Sequence, residues 1–397
     1  MTSGFFTYAF SLLIVPLKEE FNASLQSVMY ANMSAAVFGL LLMPVGGILI
    51  DRFSARWTMT CGGLAAAIGL WYMSYASSIV EFNLAFGITA GVAVAFMGPV
   101  STSAVVTRWF TRNRGKALGI TAMGTSFGGI LMPVIVAYCL AVGSWRETIV
   151  YVALLTCLII LPLIFILIRG KPSDIGMEPE PDTDSDSSEA DVGDPVLTSK
   201  QIIFHPSYWF LGLSLGLLVT CFTATVANIG PFIAQTGGTP AQASMFILVM
   251  SIAGISGKII FGVMADKINL KYGLWISQCL LIISLQLLSL EPSFVLLAIA
   301  SVGLGLTTGS MLPVWGSMMA RLYGVVSYGR AMGVMMPLVS ILAIMGFPLI
   351  GALFGINESY QLPFAVFTGI TVLSAMLLLP LKLDHVTVRH SVKKIRV

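Results

Sequence analysis

Long apolar segments that are almost free of charge follow one another through nearly the whole sequence. A helix needs about 20 apolar residues to cross the roughly 30 Å hydrocarbon core of a bilayer. Only 10% of the residues are charged, whereas a soluble domain carries roughly 25%, so this chain cannot cover a water-facing surface. The pattern predicts an integral membrane protein built from α-helices.

Twelve such segments can be drawn, and we number them spans 1 to 12. They lie at about residues 2–17, 27–50, 57–77, 82–106, 116–141, 146–169, 208–235, 241–265, 272–290, 293–320, 331–355 and 360–381. Span 1 has 16 residues, or about 24 Å of helix at 1.5 Å per residue. Because this is short for a crossing, we expect span 1 to be truncated, with about a dozen helical residues absent.

The basic residues are distributed unevenly between the two sides of the predicted membrane. Eighteen of the 21 Lys and Arg residues lie in the even-numbered loops and the C-terminal tail, whereas only Lys18 and Arg146 lie on the opposite side. Basic loops stay in the cytoplasm, so both termini are predicted to be cytoplasmic. We expect a multi-pass protein of the plasma membrane or bacterial inner membrane.

Residues 171–200, between spans 6 and 7, hold nine of the chain's 18 acids and no aromatic residue. Such a segment cannot bury a core, so it is predicted to be a disordered cytoplasmic linker. It separates an N-terminal half of six helices, residues 1–170, from a C-terminal half, residues 201–382. Residues 383–397 are predicted to form a basic cytoplasmic tail.

The two halves contain a repeated motif. GILIDRFSAR after span 2 corresponds to GVMADKINLK after span 8, and GKALG (115–119) corresponds to GRAMG (329–333) at nearly the same offset. Parallel repeats of this kind are a known transporter architecture. We interpret the motif as a cytoplasmic latch between helices that breaks as that side opens; the alternative is ordinary positive-inside topology with an acidic partner. The motif residues are Gly47, Asp51, Arg52, Arg56, Gly262, Asp266, Lys267 and Lys271.

The repeated motif resembles the signature of the major facilitator superfamily. Within that superfamily, GFFTYAFSLLIVPLKEEF (4–21), RWFTRNRGKALGI (108–120) and GKIIFGVMADK (257–267) resemble monocarboxylate transporters and the oxalate–formate antiporter group. The resemblance implies an all-α integral membrane fold of two pseudo-symmetric six-helix bundles that work by alternating access. It also implies that Lys258, the span 8 cation, contacts a substrate carboxylate.

Two positions depart from these families. The oxalate carriers have a second cation in span 11, where residues 331–355 contain none. The animal monocarboxylate carriers have an acid one turn before the span 8 cation and a lysine in span 1. In this chain Gly254 and apolar residues stand at those places.

Lys258 lies inside an apolar run with no acid within seven residues on either side. A lysine at the centre of a membrane helix costs at least ~2.5 kcal/mol. Asp266 marks the helix end about 12 Å away at 1.5 Å per residue, and a snorkelling lysine reaches only about half that depth. Gly254 and Gly257 indicate close helix packing, so we expect substrate contact, with snorkelling or a purely structural polar contact as the alternative.

Four further residues are weaker candidates for substrate binding. Asn32 in span 2 and Asn228 in span 7 are amides in apolar runs, and Asn228 precedes Gly230-Pro231, where we expect a helix break. The alternative, an interhelical hydrogen bond or satisfaction of a broken backbone, accounts for both amides more simply than substrate contact does. Tyr8 and Trp315 are candidates to line the cavity, although aromatic residues at helical spacing usually serve packing.

The sequence contains no catalytic arrangement. His205, His385 and His390 lie at helix ends or in the tail, the five cysteines lie in apolar runs without metal-ligand spacing, and no Walker sequence is present. We therefore expect no enzyme activity, cofactor, metal or nucleic-acid partner.

The predicted function is secondary active transport of a small organic anion, a monocarboxylate, by a lipid-embedded monomer coupled to protons. The alternatives are an anion exchanger of the oxalate–formate type, a carrier of a drug or neutral solute, and a transporter-like sensor without substantial flux. Transport of a neutral solute would not explain why the positive charge of Lys258 lies inside a span.

Overall fold

The computed structural model is helical throughout the residues that it describes, which are 2–98, 114–170, 197–265, 269–290 and 293–381 with 101–102, 105–106, 109 and 176. The helices are Thr2–Thr7, Ala9–Leu12 and Ile14–Glu20 (span 1), Leu25–Arg52 (span 2), Ala55–Met73 (span 3), Ile79–Met97 (span 4), Arg114–Val142 (span 5), Trp145–Leu155, Thr156–Ile160 and Leu161–Leu167 (span 6), Ser199–Ile203, Pro206–Ala227 and Ile229–Gln235 (span 7), Pro240–Ala265 (span 8), Leu270–Ser289 (span 9), Phe294–Asn357 (spans 10 and 11) and Gln361–Leu377 (span 12).

Nine helical segments in this described part of the chain are long and apolar enough to cross a membrane, and they correspond to spans 2 and 4 to 11. Span 12 is an apolar helix of 17 residues, and span 1 consists of three short pieces. Large apolar side chains such as Ile68, Tyr138 and Leu158 are exposed on the outside of the molecule. An exposed apolar surface of this extent suits contact with lipid.

Serine residues begin three helices on the predicted outer side of the N-terminal half. Ser24 and Ser78 accept hydrogen bonds from backbone N–H groups one turn into spans 2 and 4. Ser144 forms a capping box with Glu147 at the start of span 6, and such caps satisfy N–H groups that the helix itself leaves unpaired. The caps therefore fix where these helices begin.

Spans 1, 6 and 7 are interrupted helices. Span 7 breaks at Asn228, two residues before the predicted Gly230-Pro231 site, because a proline supplies no N–H group to continue the helix. Span 1 contains a 3₁₀ segment, Ala9–Leu12, and a Cβ atom on Gly230 would collide with the carbonyl of Ser11. The broken parts of spans 1 and 7 therefore pack backbone to backbone, which only glycine at position 230 permits.

Spans 10 and 11 are joined by continuous helical structure. The sequence predicts separate helices at 293–320 and 331–355, but the helix runs through Phe294–Asn357 without a break. GRAMG (329–333), which overlaps the predicted start of span 11, is helical as well. Sixty-four residues would extend about 96 Å if straight, so the segments Phe294–Tyr323 and Arg330–Asn357 count as two crossings.

In the described part of the chain, the two halves meet where spans 1 and 7 pack together and along two longer helix pairs, span 2 with span 11 and span 5 with span 8. Glycine allows a close approach in both. A Cβ atom on Gly351 would lie 2.5 Å from the Cα atom of Gln26, and one on Gly129 would lie 2.7 Å from the Ser251 hydroxyl. The second pair positions the side chains considered below. The predicted linker, apart from Gly176 and residues 197–200, and the predicted tail lie outside the described residues.

Candidate functional site

Lys258 reaches across the contact between the two halves. Its Nζ atom donates a hydrogen bond of 2.8 Å to the Oγ atom of Ser126 in span 5. The Ser126 side chain is buried, with 6% of its surface exposed. Lys258 itself is half-buried and lies seven residues before the end of its helix at Ala265, or about 10 Å at 1.5 Å per residue.

Glycine residues hold the backbone of span 8 close to span 10 at this level. A Cβ atom on Gly257 would lie 3.1 Å from the Cα atom of Gly309, and one on Gly254 would lie 3.1 Å from a methyl carbon of Thr308. Both glycines therefore lie against a neighbouring helix, as the sequence predicts. Span 8 is fixed on this side by span 10, while the Lys258 side chain extends to span 5.

The direction of the Lys258 side chain differs from that of a snorkelling lysine. A snorkelling side chain places its ammonium group in the headgroup region, whereas this ammonium binds a hydroxyl on a facing helix. Bundle-facing lysines in membrane helices are generally functional or paired. The geometry favours a role inside the protein, and contact with a substrate stays a prediction.

Tyr8 lies close to the Lys258 region. Its ring carbons are 3.0 Å from the place that a Cβ atom on Gly129 would occupy, and the Ser251 hydroxyl borders the same place. Gly129 lies one helical turn from Ser126, and Ser251 lies two turns before Lys258. Spans 1, 5 and 8 thus bring together an aromatic ring, two hydroxyls and an ammonium group where the halves meet.

Asn228 lies in a separate, fully buried network, and 0% of its side chain is exposed. Its Nδ2 atom donates to the Ala224 carbonyl at 2.9 Å and to the Met29 sulfur at 3.3 Å. Its Oδ1 atom accepts from the Tyr360 hydroxyl at 3.0 Å. These contacts satisfy the amide at the break of span 7, so a structural role accounts for this residue; its role in substrate binding stays a prediction.

Asn32 and Trp315 are also buried, but no hydrogen bond joins either of them to Lys258. The Nδ2 atom of Asn32 and the Nε1 atom of Trp315 have no hydrogen-bond partner among the described residues. Unpartnered buried donors are uncommon in folded proteins. Their roles as substrate contacts stay predictions.

The last cation of each motif copy binds the end of the sixth helix of its own half. Arg56 donates to the carbonyl of Ile168 at 3.0 Å and lies over the Phe165 ring. Lys271 donates to the carbonyls of Leu379 and Leu381 at 3.2 and 2.9 Å. Basic side chains at helix C-termini complement carbonyl groups that the helix leaves unpaired.

These two contacts join helices within one half rather than between halves. Asp266 and Lys267 lie outside the described residues, and the described structure gives no side-chain position for Asp51 or Arg52. Gly47 and Gly262 lie within helices. The latch interpretation therefore stays a prediction for the motif as a whole, while Arg56 and Lys271 have a shared capping geometry.

Sequence reasoning did not single out Ser126, Ser251, Met29 or Tyr360. Ser126 follows Gly124-Thr125 in a glycine-rich run of span 5. A serine in such a run has no distinguishing pattern, because small residues are common at every membrane helix interface. Only the pairing of spans 5 and 8 identifies Ser126 as the partner of Lys258.

Comparison with known proteins gives a match over both halves of the chain. The family model described as Major Facilitator Superfamily matches residues 1–235 and again residues 213–396. Bovine monocarboxylate transporter 13 is 23% identical over 81% of this chain and 72% of its own length. The agnestins efflux protein AgnL12 of Paecilomyces divaricatus is 23% identical over 84% of this chain and 71% of its own length.

The crystal structure of a D-xylose-proton symporter superimposes on the chain with a TM-score of 0.74. The superposition covers 95% of this chain and 94% of that protein, at 13% sequence identity. At this identity the likeness concerns the fold alone. Together with the family match, it confirms the all-helical membrane fold predicted from the sequence.

Proposed function

The chain belongs to the Major Facilitator Superfamily, and from this premise we propose that it is a secondary active transporter of a small monocarboxylate. The observation that carries the proposal is the Lys258 ammonium group, which lies in an apolar span and binds Ser126 across the two halves. An ammonium group forms its strongest hydrogen bonds with ionised oxygens. A substrate carboxylate is therefore the ligand that this cation suits.

The position of Lys258 between spans 5 and 8 suits alternating access. Substrate sites between two parallel repeats can open to either side as one half rocks against the other. A carboxylate held by Lys258 would lie where the two halves meet. Binding would then stabilise the arrangement in which the halves close around the anion.

We propose that transport is coupled to protons. The nine acids outside residues 171–200 all lie at predicted helix ends or in loops, so no carboxylate within a span would serve as a separate proton site. Lys258 would carry the proton itself, keeping it while the carboxylate is bound and releasing it before the unloaded carrier returns. Anion exchange is the alternative, in which Lys258 keeps its proton and only loaded carriers reorient.

A second candidate function is export of a larger organic molecule, which the similarity to the agnestins efflux protein favours. Such a substrate would need no intramembrane cation. Lys258 would then serve only to join the halves. The two candidates differ in whether small carboxylates bind at all.

The test begins with purified protein and a thermal-shift panel of formate, acetate, L-lactate and pyruvate. Protein in anion-free vesicles is then given each labelled anion with and without an inward proton gradient. Accumulation driven by the gradient supports symport, whereas uptake that requires preloading with a carboxylate establishes exchange. Absence of both thermal shifts and flux for every anion would overturn the proposed function.

A further inference from the structure

Ser126 binds Lys258 from the opposite half of the chain, and its chemistry differs from that of an acidic partner. A hydroxyl can accept a hydrogen bond from an ammonium group and donate one to a neutral amine. It can therefore hold the Lys258 nitrogen in either protonation state. Because it is uncharged, the hydroxyl itself does not neutralise the Lys258 charge.

The location of this hydrogen bond also matters. Spans 5 and 8 are in close contact one helical turn from Ser126, where the Ser251 hydroxyl lies against Gly129. A bond placed beside such a contact can persist while more distant parts of the two halves separate. Ser126 is thus available to Lys258 at the stage when the halves close on each other.

We propose that Ser126 is the positioning residue that holds Lys258 while the carrier reorients without an anion. The inference rests on the proposed function and assigns a residue to one step of that cycle. In the loaded carrier the carboxylate accompanies Lys258 across the closed state. In the return step no carboxylate is present, and the Ser126 hydroxyl takes its place as hydrogen-bond partner.

The two halves of a transport cycle can be measured separately. Net uptake into anion-free vesicles requires the unloaded carrier to return, whereas exchange of external labelled pyruvate for internal pyruvate requires only loaded carriers to move. Ser126→Ala is therefore expected to slow net pyruvate uptake about fivefold, the size of one lost hydrogen bond between neutral groups. Exchange should remain within about twofold of the unmodified protein.

Two further variants accompany Ser126→Ala. Ser126→Thr keeps the hydroxyl and should restore net uptake. Ser256→Ala is the matched control, since Ser256 lies two residues before Lys258 on an exposed face, where its hydroxyl donates to the Ile252 carbonyl of the same helix. It should change neither rate. Retained exchange by Ser126→Ala shows that the variant is folded and inserted.

Each other result contradicts the inference. Equal loss of net uptake and exchange in Ser126→Ala would make Ser126 a substrate contact or a structural residue. Unchanged net uptake by Ser126→Ala would show that Ser126 has no role in the transport cycle. If the wild-type protein exchanges anions but shows no net uptake, the unloaded carrier does not return, and there is no step in which Ser126 could act. If the wild-type protein moves no anion of the panel in either assay, the proposed function fails and the inference fails with it.

Discussion

Lys258 and Asn228 are both polar residues in apolar spans of the C-terminal half, and both touch the N-terminal half. Their surroundings differ. The Asn228 amide bonds to the Ala224 carbonyl and the Tyr360 hydroxyl within its own half, and its contact with Met29 is to a weakly accepting sulfur. The Lys258 ammonium bonds instead to a hydroxyl of the other half.

The difference separates a residue that stabilises one arrangement from one that can change partners. A fully buried amide with donor and acceptor both satisfied gains nothing from a ligand, and removing it leaves other buried groups unpaired. An ammonium group bonded to a neutral hydroxyl keeps its net charge, which a carboxylate can neutralise. We therefore propose anion recognition for Lys258 and support of the span 7 break for Asn228.

The largest effect is expected at Lys258. Lys258→Gln should reduce monocarboxylate uptake to background, since loss of a buried charged partner removes roughly 2–5 kcal/mol of binding. Insertion and expression should be maintained because removing a charge from a membrane helix favours insertion. Lys258→Arg should retain part of the activity, as it preserves the charge. Uptake by proteoliposomes, normalised to inserted protein, measures both variants.

Transport by Lys258→Gln at the wild-type rate would contradict a role of Lys258 in anion recognition. It would show that the ammonium group only joins the halves. The thermal shift caused by pyruvate provides an independent reading, and it should disappear in Lys258→Gln and persist in Lys258→Arg.

The second prediction concerns the other member of the comparison. Asn228→Ala leaves the Tyr360 hydroxyl without its buried acceptor, so it should destabilise the protein by about 1–3 kcal/mol. The melting temperature in detergent should fall, while the KM for a transported anion stays unchanged well below that temperature. Tyr360→Phe should produce a similar loss, and the double variant should lose less than the sum of the two.

The opposite result would indicate that Asn228 belongs to the substrate site. If Asn228→Ala melts normally but its KM rises severalfold, the amide contacts the substrate. In that case the bonds to Ala224 and Tyr360 would have to open during transport.

The third prediction tests whether a single cation defines the charge of the substrate. Residues 331–355 of span 11 contain no Lys or Arg, so Lys258 can neutralise only one carboxylate. A dianion such as oxalate would bring a second charge into an apolar site, and it should bind at least about tenfold more weakly than pyruvate. Competition with labelled pyruvate gives the ranking; a preference for oxalate would require another cation at the site.

The fold was largely predictable because its cause is visible along the sequence. The length of each apolar run indicates which segments cross the membrane. Gly230-Pro231 predicted a break in span 7, and the break lies two residues earlier, at Asn228. The continuous helix through spans 10 and 11 was not predicted. No proline interrupts residues 321–330, and a glycine within a helix lowers its stability by only about 1 kcal/mol.

The candidate site was only half predictable for a different reason. Lys258 is conspicuous because a charge in an apolar run is unfavourable wherever it points. Its partner depends on which helices of the two halves face each other, and the sequence carries no local record of that pairing. Ser126 is one of many hydroxyls in the spans, so its role could emerge only from the contact between spans 5 and 8.

The smallest effect is expected from glycine substitutions in span 5, which leave both Lys258 and Asn228 unchanged. A Cβ atom on Gly129 would lie 2.7 Å from the Ser251 hydroxyl and 3.0 Å from the Tyr8 ring, whereas one on Gly124 would meet nothing within 4 Å. Gly129→Ala should slow transport a fewfold, since the hydroxyl can rotate away but the ring must shift, at a cost of about 1 kcal/mol.

Gly124→Ala is the control in the same helix, and it should transport at the wild-type rate. Both variants should respond equally to pyruvate in thermal-shift measurements, because neither touches Lys258. The rate difference would then reflect how closely spans 5 and 8 must approach each other. If Gly129→Ala transports normally, close contact at this level is unnecessary, and the Lys258–Ser126 bond cannot depend on it.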